Sequence, residues 1–220
     1  MRLAILFDID GTLMDTLDTI VAAMNAAADE LAVSPRFTAG ELRPMIGMPV
    51  ERQLEELRRV TGGIAREFAE RYYAHFTRRV ERGVRLYPDV KSTFPQLADR
   101  RIGTMSTRRR KEAVHMLRLA GLERSFTAIV GGDQVARPKP NPDLTLFAAR
   151  ALRTKPANCV AVGDNAVDIL AGRAAGMATV AALYGYGDPN ALRAAGPDAS
   201  VNRFSELPAI MEQLDRRVTP

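Results

Sequence analysis

Two pairs of aspartates each follow a short apolar run. Leu3-Ala4-Ile5-Leu6-Phe7 leads into Asp8-Ile9-Asp10-Gly11-Thr12, and Cys159-Val160-Ala161-Val162-Gly163 leads into Asp164-Asn165-Ala166-Val167-Asp168. A carboxylate aimed at phosphorus is a competent nucleophile, and the acyl phosphate it forms divides one difficult hydrolysis into two easier steps. Asp8 is the candidate nucleophile. Asp10 is the candidate general acid and base, giving a proton to the departing oxygen and then taking one from water, and Gly11 lets the chain turn away. Asp164 and Asp168 are four residues apart, so a helix starting near Asn165 turns both to one face. Unit like charges ~4 Å apart repel by about 4 kcal/mol at an intermediate effective dielectric, so the cluster calls for a cation. All-oxygen ligation with retained waters suits Mg2+, which would bridge protein and phosphate oxygen.

Two further residues suit an oxyanion. Ser106 ends the apolar run Ile102 to Met105, where its hydroxyl and the following backbone N–H groups meet a phosphate oxygen. Lys139, in Arg137-Pro138-Lys139-Pro140, is positioned by the prolines on either side of it.

The elements that must carry these residues read as alternating strands and helices. The runs ending at Phe7, Met105, Val130, Val162 and Ala181 have the length and composition of buried parallel strands. Helices are expected at Lys111 to Ala120, closed by Gly121, at Pro142 to Leu152, started by Asn141, and at Ala166 to Ala175, closed by Gly176. This alternation predicts a doubly wound parallel α/β sheet, in which ligands bind outside the carboxyl ends of the strands. A helix starting at Asp89, its expected N-cap, meets Pro95 and must kink or start later. Between residues 16 and 82 the spacing is helical throughout: Leu17, Ile20, Val21, Met24, Ala27, Ala28 and Leu31, then Val50 to Val60, then Ile64 to Val80, with Gly62-Gly63 as a break. The expected division is a Rossmann-like core at 1–15 and 83–220 and an inserted all-helical cap at 16–82.

Composition narrows the class. The 220 residues are 46% hydrophobic, ordinary for a folded globular chain with one core and a small accessory domain. No apolar stretch approaches the ~18 residues that span a bilayer, and the first apolar run ends in aspartates unlike a signal peptide, so a cytoplasmic protein without a membrane partner is expected. The lone Cys159, in a buried strand, reads as packing. Net charge is +5, with 10 residues of each sign in 16–82 and the whole excess outside that segment. The run Arg108-Arg109-Arg110-Lys111 has no interleaved aromatics, so it reads as a solvated or anion-steering helix start and nucleic acid is not an expected partner. His75 and His115 lack metal-ligand partners and read as structural. There is no Walker A or Gly-x-Gly-x-x-Gly sequence, which excludes the usual nucleotide-driven kinases and dinucleotide enzymes.

The order Asp8-Ile9-Asp10-Gly11-Thr12, Ser106, Lys139, Gly163-Asp164-Asn165-Ala166-Val167-Asp168 resembles the four motifs of the haloacid dehalogenase (HAD) superfamily, across essentially the whole chain. It is most similar to phosphoglycolate phosphatase-like members, with support from Leu13-Met14-Asp15-Thr16, Tyr87-Pro88, Lys139-Pro140-Asn141-Pro142 and Tyr184-Gly185-Tyr186-Gly187. The resemblance implies Asp8 as nucleophile, Asp10 as acid/base, Ser106 and Lys139 on the phosphate, and Mg2+ held by Asp8, the Asp10 carbonyl and Asp164, with Asp168 acting directly or through water. It also implies a small helical cap whose Ile46-Gly47-Met48-Pro49 turn faces the site. Gly11, Thr12, Ser106, Thr107, Arg108, Lys139 and Gly47 are then the expected substrate-side residues. Thr107, Arg108 and Asp89 depart from the family's usual asparagine, lysine and glycine, and Asn165 stands where serine, threonine or aspartate is frequent. The expected activity is hydrolysis of a small phosphorylated metabolite, 2-phosphoglycolate first, by a monomer or homodimer. A phosphosugar mutase or pyrophosphatase would use the same chemistry, although Thr12 stands where mutases usually carry valine. A non-catalytic phosphate-binding regulator is a further alternative, opposed by the presence of every motif acid. Asp10 sets the chain apart from dehalogenases and phosphonate hydrolases, which do not keep it.

Overall fold

A computed structural model describes residues 2–218; Met1 and the last two residues of the expected core lie outside the described residues. Five strands, β1 (Ala4–Phe7), β2 (Ile102–Thr104), β3 (Cys159–Gly163), β4 (Ala178–Ala182) and β5 (Ala199–Val201), form one sheet in the order β2-β1-β3-β4-β5. Every pairing is parallel. Alternation along β1 explains the two-sided burial. Ile5 and Phe7 join an apolar cluster with Val90, Met116, Leu207 and Met211, while Ala4 and Leu6 join another with Leu144, Ala148 and Leu152. Helices thus cover both faces, as a doubly wound sheet requires.

These helices are α5 (Val90–Thr93), α6 (Arg110–Leu119), α7 (Asp143–Ala151), α8 (Ala166–Ala174), α9 (Pro189–Ala194) and α10 (Leu207–Val218); α1 (Leu17–Glu30), α2 (Ala39–Leu42), α3 (Val50–Arg58) and α4 (Gly62–Val80) occupy the 16–82 segment. In that segment Ile20, Met24 and Ala27 of α1 pack with Phe68, Tyr72 and Phe76 of α4, and their cluster is continuous with the sheet face carrying Phe7. The buried Asn25 amide is satisfied by Phe37, donating to its carbonyl and accepting from its N–H, both at 2.8 Å. Among the described residues no helix is long and apolar enough to cross a membrane.

Several expected elements shift. Ala128 to Val130 forms no strand: isolated bridges join Gly103 to Ala128 and Ser106 to Gly131, and between them the Thr104 hydroxyl donates to Val130 O at 2.7 Å and accepts from Val130 N at 2.8 Å. A side chain thus takes part of the ladder. Gly62 and Gly63 open α4 instead of breaking the chain; the break falls at Arg59, which adopts φ 58° and ends α3. Helix α7 starts at Asp143, because the Asn141 amide donates to Pro138 O at 3.0 Å and caps nothing. Asp89 does not cap α5 with its side chain. Its carboxylate accepts from Arg203 and Ser205 at 3.0 Å each. Pro95 is accommodated by a change from α5 to a 3-10 turn over Phe94–Leu97.

Candidate active site

Strand β1 has β2 on one side and β3 on the other, so successive crossovers leave it in opposite directions and open a crevice at the carboxyl ends. Asp8 follows β1, Ser106 lies just beyond β2, and Asp164 follows β3. The Asp8 N–H donates to Val162 O at 2.9 Å, which locks the two acidic strand ends in register.

Asp8, Asp164 and Asp168 are all buried and each offers an oxygen within 4.8 Å of the others. Lys139 reaches into the same cluster. Its Nζ donates to Asp8 Oδ1 at 2.9 Å and to Asp168 Oδ1. The second Asp8 oxygen accepts no hydrogen bond from a described residue, whereas both oxygens of the other two acids are engaged. Asp164 accepts from the Thr12 hydroxyl and the Tyr186 N–H, each at 2.8 Å. Asp168 Oδ2 accepts from Asn165 N at 2.9 Å, completing the first turn of α8.

Three buried carboxylates sharing one ammonium leave the cluster two positive charges short of neutrality. Burial pushes the Asp8 carboxyl well above the usual carboxylate range; Lys139 opposes this, and Asp168, Asp164 and Asp10 reinforce it. Burial, then Asp168, push Asp164 up to about 7 against the hydrogen bonds from Tyr186 and Thr12. Burial alone would lower the Lys139 ammonium, yet Asp168 and Asp8 raise it on balance. A hard divalent cation matches both the missing charge and the oxygen donors.

Asp10 stands apart, turned towards the helical insert. Arg108 binds it bidentately, Nε to Oδ2 at 2.5 Å and Nη2 to Oδ1 at 2.7 Å, and the Thr16 hydroxyl also donates to Oδ1. The Arg108 guanidinium lies 3.7 Å from the centre of the Phe76 ring of α4. The basic run is therefore not one solvated surface: Arg108 is buried, Arg109 pairs with Glu70 of α4, and Arg110 starts α6. Asp10, Thr107 and Arg108 border a half-open chamber of about 40 Å³ that the 46–50 loop, Gln53, Tyr72 and Tyr73 also line. A wider cleft of about 530 Å³ lies between Gly47 and Lys139. Gly47 adopts φ +97°, which favours glycine at this turn over the site. The buried Ser106 hydroxyl accepts from Arg108 N at 3.3 Å.

Of the residues expected to meet substrate, Thr12 and Gly11 sit against Asp164; a Cβ on Gly11 would come within 2.1 Å of its Oδ2. Thr107, Arg108 and Gly47 border the chamber, and Lys139 the cleft and the acids. The residues given no individual role by sequence are those of Tyr184-Gly185-Tyr186-Gly187, in the loop after β4. Tyr186 holds Asp164 through its N–H, and its hydroxyl donates to Asp15 at 2.8 Å and accepts from Leu17 N at 2.9 Å. The Tyr184 hydroxyl donates to Thr12 O at 2.8 Å, and Arg43 of the insert donates to the carbonyls of Gly185 and Tyr186, both at 3.2 Å. The visible signal was the repeated Tyr-Gly pair; its partners were not local. His75 bonds Glu30 at 2.8 Å within the insert, away from these acids.

A parallel sheet with buried acids at adjacent strand ends and a lysine between them defines a phosphoryl-transfer hydrolase. The chain belongs to the haloacid dehalogenase-like hydrolase family, whose model matches residues 5–182, and it is a phosphatase of the phosphoglycolate phosphatase-like kind. It is 33% identical to the plasmid phosphoglycolate phosphatase of Cupriavidus necator, over 94% of this chain and 92% of that one. It is 30% identical to the pyrophosphatase PpaX of Oceanobacillus iheyensis, over 94% and 95%. Among solved structures, CbbY from Rhodobacter sphaeroides in complex with xylulose-(1,5)bisphosphate superposes with a TM-score of 0.83 at 25% identity, covering 94% of this chain and 96% of that one.

Proposed function

We propose that the chain hydrolyses a small phosphomonoester through an aspartyl phosphate on Asp8, under a cap formed by the 16–82 segment. The observation that carries this reading is the asymmetry of Asp8. Lys139 holds one of its oxygens, and the other accepts no hydrogen bond from a described residue. That oxygen attacks phosphorus as the bond to the leaving alkoxide breaks, and Asp10 gives the alkoxide a proton. Asp10 then takes a proton from water, whose oxygen attacks phosphorus; the bond to Asp8 breaks and orthophosphate leaves. Ser106 and Lys139 hold the transferred group, and Arg108 with Thr16 fixes Asp10 on the leaving-group side.

Mg2+ fits the donor set, with Asp8, the Asp10 carbonyl and Asp164 as ligands and Asp168 acting directly or through water. When bound it supplies the positive charge that offsets repulsion between the anionic nucleophile and an anionic phosphate. The cap excludes water from the acyl phosphate. A cytoplasmic location is part of the same proposal.

The test is a phosphate-release panel with magnesium, repeated with chelator and with Asp8→Asn. From the relatives' names, 2-phosphoglycolate and inorganic pyrophosphate head the panel, beside short alcohol phosphates. Release from at least one ester that is lost in both controls is expected. No release from any compound, or an unchanged rate in Asp8→Asn, refutes the proposal.

A further inference from the structure

A threonine at a helix start normally turns its hydroxyl back onto the free N–H groups of its own helix. Thr16 does not: no side-chain bond caps α1, and the Thr16 hydroxyl donates instead to Asp10 Oδ1. The hydroxyl of buried Tyr186 takes over part of that work. It accepts from Thr16 N at 2.5 Å and from Leu17 N at 2.9 Å, and donates to Asp15 Oδ1 at 2.8 Å. A phenolic hydroxyl has one proton to give and room for two donors, so these bonds fill it and fix its direction. The backbone of Tyr186 is held on both sides, its N–H donating to Asp164 Oδ2 at 2.8 Å and its carbonyl accepting from Arg43 Nε at 3.2 Å.

We infer that Tyr186 is a positioning residue for the general acid: by capping α1 it frees the Thr16 hydroxyl for Asp10, and through its own N–H it ties that arrangement to Asp164. The role rests on the proposed chemistry, with Asp10 as proton donor, and gives part of that donor's aim to the loop after β4. Arg108 supplies the charge beside Asp10 from the loop after β2, and Thr16 supplies a neutral contact from the start of α1. Without the phenolic oxygen, Thr16 N and Leu17 N lose their acceptor. The Thr16 hydroxyl is then drawn back to the helix start, and Asp10 loses its contact. Tyr186 itself gives and takes no proton in the reaction; it acts through Thr16.

The experiment compares kcat/KM, with magnesium, on 2-phosphoglycolate or another alkyl phosphomonoester of the panel and on acetyl phosphate. An alkoxide needs the proton from Asp10 as it leaves, whereas acetate leaves without one. Asp10→Asn should cut the alkyl rate on the order of 100-fold and the acetyl phosphate rate far less. Tyr186→Phe keeps the ring and the N–H on Asp164, and should lower the alkyl-to-acetyl ratio roughly tenfold, as should Thr16→Val. The double variant should match Thr16→Val alone on the alkyl ester, because Tyr186 acts through Thr16. A purely structural role for Tyr186 lowers both rates together and leaves the ratio unchanged, which overturns the inference, as do additive losses in the double variant. An unchanged ratio in Thr16→Val overturns it too, whether or not Tyr186→Phe folds. If Asp10→Asn itself spares the ratio, or no compound of the panel releases phosphate, the reading of Asp10 or of the phosphatase has failed and the inference falls with it.

Discussion

Gly185→Ala tests whether the loop after β4 sets the position of Asp164. A Cβ at residue 185 would lie 2.2 Å from Asp164 Cβ and 2.4 Å from Gly11 O. Ordinary contacts begin near 3.4 Å, so relief requires a displacement of about 1 Å. Neither neighbour is the free end of a flexible side chain: Asp164 Cβ is one bond from the main chain, and Gly11 O belongs to it. Thr12 and the Tyr186 N–H also tie the Asp164 carboxylate on either side, so it cannot rotate away without losing a hydrogen bond. Overpacking of this kind costs about 1–3 kcal/mol of stability. A misplacement of ~1 Å among catalytic groups costs on the order of 100-fold in rate. Steady-state kinetics across a magnesium titration should show kcat/KM reduced by about that factor, with part of the loss recovered at high magnesium because Asp164 is a proposed ligand. Thermal unfolding run alongside separates this from loss of fold. A Gly185→Ala protein within twofold of wild type at every magnesium concentration would show that Asp164 is not held by this contact, and the reasoning would be wrong.

Magnesium should stabilise the protein more at pH 8 than at pH 5. The Asp164 carboxyl is pushed up to about 7 in the fold against 3.8 for an ordinary aspartate, so metal-free stability falls as pH rises from about 4 to 7 and the loss is complete above that window, on the order of 4 kcal/mol at most. Thermal scans with magnesium and with chelator at the two pH values measure this; equal shifts at both would contradict it. Arg108→Met leaves the Asp10 carboxylate buried without its cation and should lower stability by roughly 3 kcal/mol in urea unfolding, with Asp10→Asn in the same chain recovering most of the loss. Additive losses in the double variant would show that the pair does not act as a unit.

What could be read in the sequence was local. Asp8, Asp164 and Asp168 were legible because an apolar run of strand length fixes where the next side chain emerges, and parallel strands bring such ends together. The fold class followed from the same alternation. Arg108 was expected on the substrate side, but its pairing with Asp10 was not legible: the two are 98 residues apart, and no local pattern joins them. The Tyr186 contacts were hidden for the same reason, since each spans more than a hundred residues or leads into a loop. Strand β5 escaped notice because its three residues Ala199–Val201 include exposed Ser200 and supply too little apolar pattern. Asp89 misled because aspartate before a helix usually caps it, whereas here φ is 67° and its carboxylate serves Arg203 and Ser205 instead.

The most direct test of the central claim is to trap the intermediate. Protein mixed with a turned-over phosphomonoester and magnesium is quenched in acid within one turnover, treated with borohydride, digested and analysed by mass spectrometry. The account predicts a phosphoryl group on the peptide carrying Asp8, converted by borohydride to homoserine at that position alone and absent from Asp8→Asn. Turnover of the ester with no label on that peptide, or label on a different residue, would contradict it.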